Sequence, residues 1–108
     1  MFIINGEPWR VIFVEPNHPA LLKPDGIFAI GACDDYSNTI FLNNNLFGDK
    51  LKHVLCHEIT HAMLFSYGIK MPLQQEELFA ELTATFGEEV ISITNVLFSY
   101  LLKRKGRI

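Results

Sequence analysis

Leu51-Lys52-His53-Val54-Leu55-Cys56-His57-Glu58-Ile59-Thr60-His61-Ala62-Met63-Leu64-Phe65 is the stretch on which the reading of this chain turns. Its apolar residues, Leu51, Val54, Leu55, Ile59, Ala62, Met63 and Phe65, recur at helical spacing. Within it lies His57-Glu58-Ile59-Thr60-His61, an H-E-x-x-H sequence. On an α-helix, residues four apart share a face one turn from each other, so both imidazoles can reach one ion. Glu58 projects beside the same point, where a carboxylate can take a proton from water. A helix this apolar is expected to run through a core, where two imidazoles and a carboxylate are costly unless something satisfies them. A bound cation would do so.

Outward from this segment, Asp49 has the side chain of an N-cap and Gly68, just past Tyr67, is a helix stop. Pro72 stands near the start of a second helix, Leu73 to about Lys103, in which Gly87 is expected to make a bend or a break. The first half of the chain reads as strands and turns. Pro8–Glu15 is rich in β-branched and aromatic residues and closes on the turn-forming Pro16-Asn17-His18-Pro19. Ala20–Gly26 reads as a loop, and Ile27–Cys33 and Thr39–Asn43 as two further strands. Their short connection favours an antiparallel hairpin. The fold expected is α+β: a small antiparallel sheet of about three strands, packed on the motif helix and on a C-terminal helix.

Two histidines make an incomplete zinc site, because a catalytic zinc usually has three protein ligands and one open position. Gln74-Gln75-Glu76-Glu77-Leu78-Phe79-Ala80-Glu81 opens the second helix, and its antiparallel return would lay its first turns beside the motif. Glu77 and Glu81 share a face at i, i+4, while Glu76 points about 100° away. Glu77 is therefore the expected third ligand, with Glu76 and Glu81 as alternatives. Glu81 is expected to hydrogen-bond the outer nitrogen of a ligating histidine and fix its tautomer. His53 extends the row to His53, His57 and His61, but lies roughly 12 Å from His61, too far to share its ion. It is read as a cleft-lining, supporting or surface residue. His18 is read as a surface residue or a transition-state donor.

Composition sets the bounds. With 108 residues, 49% hydrophobic and 19% charged, residues 1–108 are expected to form one folded domain. Cys33 and Cys56, the only cysteines, lack metal-site spacing and read as reduced packing residues. The formal net charge is −3. Four of the nine basic residues are Lys103, Arg104, Lys105 and Arg107, so residues 1–102 hold five basic residues against twelve acidic, or −7. That acidic balance argues against nucleic acid as a partner. The basic end suits the negative end of its helix. No apolar run reaches the roughly 18 residues of a membrane span, and Met1–Glu7 lacks the marks of a signal peptide, so no membrane association and a cytoplasmic location are expected.

On His57-Glu58-Ile59-Thr60-His61 and the Glu77-Leu78-Phe79-Ala80-Glu81 segment, the chain resembles a minimal zincin-type metallopeptidase domain. It is similar to the ImmA/IrrE family and to small related proteins of phages and mobile elements. It departs from the common E-A-N run of that family, with Gln75 four before Phe79. The resemblance implies a zinc ion held by His57, His61 and Glu77, with Glu58 as the catalytic base and a peptide or protein as substrate. An exposed sheet edge, at Thr39–Asn43, would take the substrate as an added strand. Tyr36 or Tyr67 would donate to the oxyanion. The alternative is a zinc-binding interaction module of phage or mobile-element origin that cleaves nothing.

Overall fold

Asn5 and Gly6 both take positive φ, 51° and 80°, which lets a two-residue turn join antiparallel strands without splaying them. This turn links β1 (Phe2–Ile4) to β2 (Glu7–Val14). In the computed structural model, which describes residues 1–104 and Gly106, a 3-10 turn at Pro19–Leu21 follows. Then come β3 (Gly31–Asp34), β4 (Thr39–Asn43), α1 (Gly48–Ser66) and α2 (Leu73–Arg104).

The architecture is α+β, but the sheet has four strands in the order β1-β2-β4-β3, and it is mixed. The β3–β4 hairpin is antiparallel as expected. β2 and β4 pair in parallel, because residues 15–38 are long enough to carry the chain back to the end where β2 began. The strand expected at Ile27–Cys33 is confined to Gly31–Asp34. Upstream, the Lys23 N–H donates to the Ile27 carbonyl, the Asp25 side chain accepts from the Ile27 N–H, and the Ala29 N–H donates to Leu21. These local bonds claim the backbone that a longer strand would need.

β4 is a central strand, with Thr39, Ile40 and Leu42 at 1% exposure or less. It is therefore not the edge expected to take a substrate. The edge beside α1 is β3. Ile4, Trp9, Ile40, Leu42, Val54 and Ala62 form the core, and Trp9 meets Phe65 edge-on at 6.5 Å.

Two stripes divide α1. Val54, Glu58 and Ala62 are buried, whereas His53, His57 and His61 are one residue back in each case and only partly covered. The helix thus has one face in the core and does not run through it. Phe47, in extended backbone, holds the N-cap position without a side-chain bond, and Asp49 lies inside the first turn, where its charge still suits the helix. At the other end Gly68 takes φ 67° and the Ile69 N–H closes back on the Leu64 carbonyl. The chain returns as α2, which is uninterrupted at Gly87 because glycine keeps its N–H and costs a helix only about 1 kcal/mol. Among the described residues no helix is long and apolar enough to cross a membrane. Lys103 and Arg104 lie in the last turn of α2, as their charge favours; Lys105 and Arg107 lie outside the described residues.

Gly31 brings β3 close against α1. A Cβ there would stand 2.7 Å from Val54 Cγ1 and 3.2 Å from both Cγ and Oε2 of Glu58. Gly31→Ala is expected to lower stability by about 1–3 kcal/mol through this overpacking. Urea unfolding of the variant against the parent measures it, and an unchanged midpoint would show that the close approach is not needed.

Candidate metal centre

The stripe carrying His53, His57 and His61 meets the first turns of α2. There His57 Nε2 and His61 Nε2 lie 3.3 Å apart. Glu77 Oε1 lies 3.4 Å from His57 Nε2 and 2.5 Å from His61 Nε2. Two nitrogens and one oxygen, from His57, His61 and Glu77, converge on a single point and could hold a metal ion. With zinc–ligand bonds of about 2.0–2.1 Å, a tetrahedral site has ligand–ligand edges of roughly 3.3–3.4 Å. Two of the three edges match, and the third has a hydrogen-bond length.

The outer nitrogens are held as well. His57 Nδ1 pairs with Glu81 Oε1 at 3.1 Å, the contact expected of Glu81. His61 Nδ1 pairs with Glu76 Oε2 at 2.5 Å, which the sequence reading had not foreseen. Glu76 does project away from Glu77 around α2. An imidazole has its nitrogens on different edges, however, so two residues adjacent on α2 can take one each. A carboxylate beside each Nδ1 would favour the proton there and free the Nε2 atoms to bind a cation. His53 Nε2, at 2.9 Å from Glu81 Oε2, makes Glu81 a bridge between two histidines.

Glu58 lies on the buried stripe, not among the three converging atoms. Burial raises its pKa; the neighbouring His57 and His61 oppose the shift and Glu77 adds to it. For His61, burial acts downward but is outweighed by the hydrogen bond to Glu76 and the charges of Glu58, Glu77 and Glu76, so the net shift is upward. The bond from His53 lowers Glu81. Burial, followed by the charge of Asp35, pushes the Cys33 thiol far up, which keeps it protonated and unsuited to binding a metal.

A cleft runs between β3 and the two helices, one part of about 500 Å³ and an adjoining part of about 370 Å³. His57, Glu58, Glu77, Gly31 and Lys23 line both parts. His53 and Glu81 line the first part, as expected of a cleft-lining His53, and His61 and Glu76 line the second, whereas Tyr36, Tyr67 and His18 fall outside. Tyr36 is fully exposed at the β3–β4 turn, and Tyr67 lines an apolar groove with Met63 and Ile69. His18 Nδ1 accepts from the Ala20 N–H and the ring stacks on Phe41, so this residue caps the 3-10 turn.

Comparison with known protein families, with curated proteins and with solved structures finds no match to this chain.

Proposed function

We propose that this chain is a small zinc-dependent peptidase of the zincin type, similar in its motif residues to the ImmA/IrrE family. One observation carries the reading: His57 Nε2, His61 Nε2 and Glu77 Oε1 converge while a buried glutamate, Glu58, adjoins them on the next face of the same helix. A donor set of two imidazoles and a carboxylate suits zinc, with a position left open. Zinc bound there supplies Lewis acidity, acidifying water toward a pKa of about 7 and polarising a carbonyl.

The remaining work falls to the chain itself. Glu58 takes a proton from the attacking water and hands it to the leaving amine. Its burial suits it to that exchange, because a carboxylate stripped of water holds a proton more readily. Glu76 and Glu81 hold the two rings in one tautomer and one orientation. The Asn43 N–H donates to the Ile30 carbonyl, so alternation along the ladder leaves the N–H and C=O of Gly31 and Cys33 on the free edge of β3. An extended peptide lying along that edge presents its carbonyls to the cleft over His57 and His61.

The test is incubation of the purified protein with denatured proteins and peptides. Cleavage stopped by a chelator and restored by zinc is expected. Capture of a partner without cleavage would instead mark the non-cleaving module. A second measurement concerns the carboxylates behind the rings. Glu76→Ala and Glu81→Ala are each expected to weaken zinc affinity about 10- to 100-fold, read by competition with a chromophoric chelator. Unchanged affinity in both would leave these carboxylates no part in the site.

A further inference from the structure

α2 is much longer than the helix it packs on, with 32 residues against 19 in α1, and Ala80 is its one buried residue among those described. The side turned to α1 carries Glu77, Glu81, Ala84, Glu88 and Ile91; Glu88 pairs with Lys52, and Ala84 and Ile91 line a groove with His53. About half a turn away runs a different row: Leu82, Phe86, Glu89, Ile93, Val96, Tyr100 and Lys103. Its spacing alternates strictly between three and four residues, the 3.5-residue period by which one helix pairs with another. Every apolar member is exposed, from 48% at Leu82 to 68% at Val96. A solvated helix face has no need of such a seam.

We propose that a second copy of this chain covers the seam, the two α2 helices packing antiparallel over residues 86–103. The two charged members of the row select the partner and its direction. Parallel pairing would set Glu89 beside Glu89 and Lys103 beside Lys103. Antiparallel pairing about the midpoint of Ile93 and Val96 sets Ile93 against Val96 of the second copy, Glu89 against its Tyr100, and Phe86 against its Lys103. Glu89 then lies within reach of a hydroxyl and an ammonium, and Lys103 lies over an aromatic ring. Phe86, Val90, Ile93, Val96, Leu97 and Tyr100 each leave on the order of 100 Å² exposed. With the stems of Glu89 and Lys103 they supply roughly 600–800 Å² per copy, close to the roughly 800 Å² per partner of a stable interface. The seam faces away from α1, so the pairing leaves the cleft open and does not depend on the peptidase reading.

Sedimentation velocity of the full chain from about 1 to 100 μM is expected to show a dimer. Ile93→Glu with Val96→Glu is expected to return the monomer, with circular dichroism and zinc content as checks on folding. Glu89→Lys alone and Lys103→Glu alone are each expected to weaken self-association at least about tenfold, and the two together to restore it. A chain that stays monomeric throughout overturns the proposal, including one that instead binds vesicles of anionic phospholipid. So does a dimer indifferent to the Ile93 and Val96 changes, or a double charge reversal that fails to restore pairing.

Discussion

Glu58→Gln is expected to cut peptide hydrolysis by about two to four orders of magnitude while zinc content stays at the parent level. The separation of those two readouts follows from the two stripes of α1. His57 and His61 lie on the stripe that meets α2, and their Nε2 atoms belong to the converging group. Glu58 lies between Val54 and Ala62 on the buried stripe, so its replacement removes no donor from that group. Glutamine keeps the volume in a site where the Gly31 backbone leaves no slack, so the change opens no cavity. It does remove the one buried carboxylate among the described residues, which adjoins the converging atoms. A kcat that falls with KM held would place the loss in the chemical step and not in binding. A zinc-loaded Glu58→Gln protein that cleaves at the parent rate would refute Glu58 as the base.

The two stripes were legible in the sequence because helical periodicity is local: the apolar spacing from Leu51 to Phe65 sets which residues share a face. The hairpin of β1 and β2 had an equally local signal, Asn5-Gly6, although the apolar run before it, Met1–Ile4, is short for a strand. The sheet order had no local signal. Whether Thr39–Asn43 lies at an edge or in the centre depends on the return of residues 15–38, and alternation within five residues cannot encode that. Only the pairing of β4 with β2 on one side and β3 on the other, seen in the folded chain, leaves β3 as the free edge next to it. Around the metal centre the same division holds. His57 and His61 at i, i+4 on one helix were readable, and Glu77 with Glu81 on the next followed from their own i, i+4 spacing. The contact of Glu76 with His61 was not readable, because it depends on how the second helix is rotated against the first and on the two-sided shape of an imidazole.

Zinc bound by the parent protein at about one ion per chain is expected to be lost in Glu77→Ala, with the fold intact. Glu77 is the cleanest of the three residues to remove, because its side chain is 54% exposed whereas His57 and His61 are at 18% and 13%. Truncating it leaves no cavity, and two imidazoles alone fall short of a stable zinc site. The core cluster of Ile4, Trp9, Ile40, Leu42, Val54 and Ala62 includes none of the three residues, so the chain has apolar packing that does not rely on an ion. On that ground the fold is expected to survive loss of the ion, unlike that of a structural zinc site, whose loss unfolds its domain. An ion bound there would still add stability by binding only the folded form, about 2.7 kcal/mol at a free concentration 100 times its Kd. For a chain of this size that corresponds to a Tm roughly 10–20 °C lower after chelation, with circular dichroism at 25 °C unchanged. Metal analysis, far-ultraviolet circular dichroism and a thermal scan of the parent, the chelated parent and Glu77→Ala decide the matter together. A chelated parent that is unfolded at 25 °C would make the ion a structural one, and full zinc content in Glu77→Ala would remove Glu77 from the site.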